Sequence, residues 1–279
     1  MATVQEGVFD SNGIKIRYVT AGQGEPIVLL HGWMSDASMW GNLETNPTAQ
    51  NFQLIAVDLR GHGESGKPHN LEMYGAEMAE DVVRLLDHLT LDKAHLVGYS
   101  MGTIIAGKVA ATHPDRVLST VFGGQAPILS QGLKVDSDEV NLFATAVEEG
   151  RGLGSYLIAV SPADQPTLSL DQANGLAEII YAGKDVKAFA TAGRGIKHLD
   201  VSIDELERYK SPMLFIYGSE EATETKERAH TIVNELGRGT ITVIEGADHM
   251  TTLTHPEFGK AMNEFLRLRY VACPDPVDG

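Results

Sequence analysis

The sequence predicts an α/β fold: a mostly parallel sheet of eight strands flanked by helices and interrupted by a helical insertion. Three observations carry this. Short apolar runs of strand length alternate with segments of helical period along most of the chain. The alternation stops between Ala126 and Tyr209, where the pattern is helical only. Glycine is abundant, at 29 of 279 residues, as a fold with many tight strand-to-helix turns requires.

Taken in order, Gly7–Asp10 and Ile14–Val19 flank Asn12-Gly13, a hairpin signal. Six further runs follow: Ile27–Leu30, Leu54–Val57, His95–Val97, Val117–Phe122, Met213–Tyr217 and Thr240–Ile244. Several are rich in valine and isoleucine, as strands buried on both faces should be. Between them Ala79, Val82, Val83 and Leu86 keep helical spacing, as do Ala229, Ile232, Val233 and Leu236, and Phe258, Ala261, Met262 and Phe265. Inside the insertion, Val140, Phe143, Ala144 and Val147 predict a helix ended by Gly150. Leu176, Ile179 and Ile180 predict another before Gly183, and Ser202 with Glu205 forms a capping box. The predicted organisation is a core of residues 1–125 and 210–279 with a helical cap over 126–209.

Composition excludes several classes of function. A net charge of −16 repels phosphate backbones and anionic lipid headgroups, so neither nucleic acid nor a membrane is expected as a partner. The single cysteine, Cys273, permits no intrachain disulfide and no CxxC metal site. No apolar stretch approaches the roughly 18 residues that span a bilayer. The first nine residues lack a signal peptide's basic and apolar regions. A cytoplasmic protein is the expectation.

The sharpest motif is Gly98-Tyr99-Ser100-Met101-Gly102, between the run ending at Val97 and a helix of small residues. A GxSxG string alone is a weak signal; the strand–turn–helix setting gives it weight. Such a turn strains the serine backbone, demands glycines beside it and lifts the hydroxyl clear of the sheet. Ser100 is therefore the candidate nucleophile. His31-Gly32-Trp33 follows an earlier strand, so the backbone N–H groups of Trp33 and Met101 are the candidate oxyanion donors. His249 follows the last strand, where loops face the crevice, and is the candidate general base. Of the other histidines, His62 and His69 lie in a polar loop and read mainly as structural, His62 least clearly. The acid should come from Gly218-Ser219-Glu220-Glu221, since no aspartate lies between Asp204 and Asp248. Neighbours in an extended loop point opposite ways, so one glutamate of the pair is expected to face the histidine.

With these motifs, and with Asp58-Leu59-Arg60-Gly61-His62-Gly63-Glu64-Ser65, His113-Pro114-Asp115-Arg116-Val117 and Gly246-Ala247-Asp248-His249-Met250, the chain resembles the α/β-hydrolase superfamily over nearly its whole length. Within that superfamily it resembles small serine esterases of the HGx oxyanion type. The resemblance implies a catalytic triad with its acid three residues after Gly218, which is Glu221, where that family usually carries aspartate. It also implies a helical cap over the site and no metal or other cofactor. The implied activity is cleavage of carboxylic esters through an acyl-enzyme. Thioesters, lactones, carbon–carbon bonds and perhydrolysis are alternatives on the same triad, and a non-catalytic binding protein is the competing class. Epoxide hydrolases and dehalogenases of this fold place aspartate at the nucleophile. Trp33, Met34, Met101 and Met250 suggest an apolar wall suited to neutral, hydrophobic substrates of small to medium size. The oligomeric state is left open.

Overall fold

The computed structural model describes residues 3–130, 138–161 and 168–270; Cys273 lies outside them. Its strands are β1 Gln5–Ser11, β2 Ile14–Ala21, β3 Glu25–Leu30, β4 Phe52–Val57, β5 Ala94–Tyr99, β6 Val117–Gly123, β7 Met213–Gly218 and β8 Thr240–Ile244. Its α-helices are α1 Ala76–His88, α2 Met101–Thr112, α3 Asp138–Glu148, α4 Gly154–Val160, α5 Leu170–Ile180, α6 Val186–Ile196, α7 Ile203–Arg208, α8 Thr223–Leu236 and α9 Pro256–Tyr270. Every apolar run read from the sequence is a strand, most of them lengthened by a residue or two at the ends.

The eight strands form one sheet in the order β1-β2-β4-β3-β5-β6-β7-β8. The first two pairings are antiparallel and all from β4 onward are parallel. Asn12 and Gly13 both take positive φ (54° and 85°), the backbone that a two-residue hairpin turn demands. After β3 the chain moves out to β4, and after β5 it moves the opposite way to β6. The loops leaving β3 and β5 therefore diverge and open a crevice at the carboxyl ends of these neighbouring strands.

Strand periodicity divides the core into two layers. Val28, Leu30, Ile55, Leu96, Phe122 and Phe215 face a layer closed by α1, α2 and α8. Their neighbours Ile27, Leu29, Leu54, Val97, Val121 and Leu214 face the layer closed by Phe258, Met262, Phe265 and Leu266 of α9. Ala79, Val82, Val83 and Leu86 of α1 are all buried, as their spacing predicts.

In the segment between β6 and β7, the regular elements among the described residues are the helices α3 to α7. A cluster of its own, including Phe143, Ala144, Tyr156, Ala177 and Phe189, packs together with Trp33 and Met34 of the main body. Its flanks behave differently. Ile128, Leu129, Val201, Leu206 and Tyr209 join the main core, and Leu129 and Val201 form one isolated parallel bridge. The capping box is formed: Ser202 Oγ accepts from Glu205 N–H at 3.1 Å, and Glu205 Oε2 accepts from Ser202 N–H at 2.7 Å. The apolar face of α5 points outward, with Ile179 75% exposed, because α5 buries Ala173 and Ala177 instead.

One buried ion pair ties α1 to the loop after β4. Arg60, fully buried, donates through Nε and Nη2 to the two carboxylate oxygens of Asp81, both at 2.6 Å. Ser11 Oγ donates to the same carboxylate. Removing one partner strands the other charge away from water. Asp81→Ala should cost about 3–5 kcal/mol in urea unfolding, and the paired change Arg60→Met with Asp81→Leu should cost clearly less. Equal losses in the two proteins would contradict this.

Candidate active site

Ser100 sits between the last residue of β5 and the first of α2, with φ 53° and ψ −117°. A non-glycine residue held there stores about 1–3 kcal/mol of strain, so its surroundings must fix it. A Cβ on Gly102 would stand 2.0 Å from the Leu30 carbonyl, and one on Gly98 would stand 2.4 Å from the Gly102 backbone. The glycines of the motif thus let α2 start hard against β3 and β5. Thr103, fully buried, closes the turn: its hydroxyl donates towards the Gly98 carbonyl (2.9 Å) and accepts from Gly123 N–H (3.1 Å). Ser100 N–H donates to the Gly123 carbonyl at 2.9 Å.

The loop after β3 lies alongside. A Cβ on Gly32 would come within 3.3 Å of Ser100 Cβ. His31 anchors this loop and its tautomer follows from its partners. Leu59 N–H donates to Nε2 (3.0 Å), so the proton is on Nδ1, which donates to the Gly32 carbonyl (2.7 Å). Burial lowers the pKa of this imidazole and keeps it neutral. Trp33 N–H has no acceptor among the described residues, and Met101 N–H opens α2, where a helix has no internal acceptor. The Trp33 indole turns away from the serine: its Nε1–H donates to the Phe189 carbonyl of α6 (2.8 Å), and its ring meets Phe143 edge-on.

His249 stands on the loop after β8. Asp248 builds that loop, its Oδ1 accepting from the N–H groups of Met250 (3.0 Å) and Thr251 (2.8 Å). The Tyr99 hydroxyl donates to the His249 carbonyl at 2.6 Å. Thus held, His249 Nε2 lies 3.0 Å from Ser100 Oγ and Nδ1 lies 3.0 Å from Glu221 Oε2. With the Nδ1 proton donated to the carboxylate, the Nε2 lone pair is left to accept from the serine hydroxyl. Glu221 is buried, and its other oxygen accepts from Ala222 N–H at 3.1 Å. Glu220 is exposed; its N–H donates to the Ala247 carbonyl. The structure thus brings Ser100, His249 and Glu221 into one hydrogen-bonded chain and leaves Glu220 out of it.

Burial taken alone would lower the His249 pKa. The hydrogen bond and charge of Glu221, with the Glu139 carboxylate and the Gly124 backbone, outweigh it and hold the imidazole above its ordinary value. Glu139 is the acceptor of the Tyr156 hydroxyl at 2.9 Å, so the insertion contributes charge to the histidine.

His62, the least clear of the histidines read as structural, is fully buried between His31 and Phe189, and its Nδ1–H donates to the Arg60 carbonyl (3.1 Å). Burial first, then the neighbouring His31, pushes it down to about 3, so it is a neutral packing group where the loop after β4 meets α6. His69 pairs with Asp185, the N-cap of α6, at 2.9 Å. The expected apolar wall is reduced. Met250 stands 80% exposed because Asp248 turns its backbone outward, and the Met101 side chain is buried within the main core. Asp248, Tyr99 and Thr103 went unread in the sequence. Thr103, the first residue after the GxSxG motif, carried the only local signal: a hydroxyl on an otherwise apolar stretch.

A family profile described as the alpha/beta hydrolase fold matches residues 25–256. The chain belongs to that family. It is 26% identical to the (E)-2-((N-methylformamido)methylene)succinate hydrolase of Acinetobacter baylyi over 92% of this chain and 95% of that one. It is 42% identical to the soluble epoxide hydrolase of a Corynebacterium species, over 38% of this chain and 36% of that one. The chain spans about a third of the length of the curated relatives it matches near 40% identity. Among solved structures, a carboxylesterase of Nitrososphaera gargenis superposes with a TM-score of 0.77 at 21% identity, covering 96% of this chain and all of that one, a likeness of fold. Hydrolase activity is what this family membership supports. Among the described residues no helix is long and apolar enough to cross a membrane.

Two titrations by NMR test the electrostatics directly. The His249 ring should titrate above the ordinary imidazole value, and Glu221→Gln should move that titration down, while Glu220→Gln should leave it in place. A larger shift from Glu220→Gln would reassign the partner.

Proposed function

We propose that this family member is a serine hydrolase that cleaves carboxylic esters through an acyl-enzyme. The observation that carries the reading is the unbroken chain from Ser100 Oγ through the His249 ring to Glu221, with 3.0 Å at each step. His249 Nε2 takes the Ser100 proton as Oγ attacks the ester carbonyl, and Glu221 stabilises the imidazolium that forms. The N–H groups of Trp33 and Met101 receive the oxyanion; the loop of one packs beside Ser100 and the other begins the helix behind it. His249 then protonates the departing alcohol. In the second half it deprotonates water, which attacks the acyl carbon and returns the carboxylic acid and free Ser100.

The nucleophile's chemistry separates this reading from epoxide opening. Serine attack on an epoxide carbon would leave an ether, which has no acyl carbon for water to attack. An aspartate nucleophile leaves an ester, which water can cleave. Helices α3 to α6 are proposed to be the cap over Ser100, because Phe143, Phe189 and Tyr181 hold Trp33 and Met34 beside the crevice; the flanks of the expected 126–209 insertion belong to the main core. The neutral, hydrophobic substrates expected from the methionines lose their support with Met250 exposed and Met101 turned into the core.

A fluorophosphonate probe and a panel of para-nitrophenyl esters of increasing acyl length test the proposal. The protein should be labelled once, at Ser100, and Ser100→Ala should lower kcat by about 10⁴-fold or more. In kcat/KM the activity should rise with pH through an ionisation above the ordinary imidazole value, because the base must be neutral and its folded pKa is raised. A folded protein that takes no label and turns over no ester would be a binding member of the fold.

A further inference from the structure

The turn that carries the Trp33 N–H is held from two sides. Ser35 N–H donates to the Gly32 carbonyl at 3.2 Å, so Trp33 and Met34 are the central pair of a β-turn. Met34 takes φ 62°, left-handed backbone that this turn position normally leaves to glycine or asparagine. A side chain kept there must be fixed by its surroundings. The main body fixes the peptide between Gly32 and Trp33 by its carbonyl, which accepts from His31 Nδ1–H (2.7 Å) as well as from Ser35. Gly32 N–H is bound in turn to Met39 Sδ at 3.3 Å. A peptide group is planar, so a fixed carbonyl aims the Trp33 N–H to the opposite side.

The insertion holds the same turn by its side chains. The Trp33 indole donates to the Phe189 carbonyl of α6 (2.8 Å) and meets Phe143 of α3 edge-on, with ring centroids 5.2 Å apart. One turn further along α6 stands Gly193. A Cβ there would lie 3.1 Å and 3.2 Å from Cζ2 and Cε2 of the indole, and 2.8 Å from Val140 Cγ1 of α3. Glycine weakens the interior of a helix, and here its missing side chain is what admits the ring. Met34 is gripped as well: Tyr181, the residue after α5, donates its hydroxyl to Met34 Sδ at 3.7 Å. Any apolar notch would serve an indole that only fills space. This one has an acceptor for its N–H, an edge-on ring and a glycine where it enters, and the residue beside it is strained and held from the same side.

We propose that the Trp33 indole is a positioning group for its own backbone: seated in the notch of α6 at Gly193, it lets the cap aim the Trp33 N–H at the oxyanion. This rests on the ester-hydrolase reading above, in which that N–H is one of the two oxyanion donors.

The test reads the oxyanion separately from the bound ester. Gly193→Ala sets a Cβ against the indole. It should lower kcat for para-nitrophenyl butyrate by about 10–100-fold with KM little changed, since small misplacements at a reacting centre cost up to about 10²-fold. Affinity for butylboronic acid, which forms a tetrahedral adduct on Ser100, should fall with kcat. Trp33→Phe gives up the indole hydrogen bond and part of the ring, and should cost up to about 10-fold in kcat. In that background Gly193→Ala should cost little more, because the added Cβ meets no indole. If Gly193→Ala unfolds through its contact with Val140, the pair Gly193→Ala with Val140→Ala carries the same test. Parental kcat and boronate affinity in folded Gly193→Ala overturn the proposal. So does a loss confined to KM, or one that persists undiminished in Trp33→Phe. If the parental protein turns over no ester and binds no boronate, the hydrolase reading falls, and the grip is read from hydrogen exchange. The Trp33 indole N–H should then be protected and should lose protection in Gly193→Ala. Protection absent from the parental protein, or unchanged by Gly193→Ala, overturns the grip as well.

Discussion

Everything at the crevice depends on one backbone constraint, the turn from β5 into α2 at Ser100. The positive φ of that residue is unfavourable for any side chain, and the cost is met by contacts that only two glycines allow. Gly102 sits against the Leu30 carbonyl, so α2 begins directly behind the end of β3. That closeness sets the loop carrying Gly32 and Trp33 beside the serine. A larger residue at 98 or 102 would push the helix back and separate the serine hydroxyl from both the loop and His249. The strain is local, but β3, β5 and β6 all take part in holding it, since Gly123 of β6 bonds to both Ser100 and Thr103.

The sequence made the fold legible because its strands announce themselves twice, as Val/Ile-rich runs and as the spacers between helices. Each run alternates between the two core layers, so its buried character follows from position. The elbow was legible because its physical demands are met by contiguous residues. The side chains that orient His249 were harder to read. Asp248 works through the backbone of its own loop, and Tyr99 reaches a carbonyl 150 residues away. No local pattern encodes such a contact. His62 was the least clear of the structural histidines for a related reason: its neighbours are polar and glycine-rich, and the roof that buries it comes from α6, far along the chain.

The glutamate at 221 reaches His249 because of its loop. Gly218 accepts from Glu221 N–H at 3.1 Å, and Glu220 N–H is bound to the Ala247 carbonyl, so the chain turns tightly just past β7. The turn sends side chain 220 to solvent and side chain 221 inward. A shorter aspartate on the same backbone would fall short of the Nδ1 proton, since the extra methylene supplies the reach. The difference between glutamate and aspartate here is therefore one of backbone path, and the proton acceptor is the same carboxylate chemistry.

Charge placement around the crevice then acquires a consistent sense. Glu221 and Glu139 both act on His249, one by direct hydrogen bond and one from the insertion across the crevice. Each stabilises imidazolium, the form that must appear transiently if Ser100 is to be deprotonated.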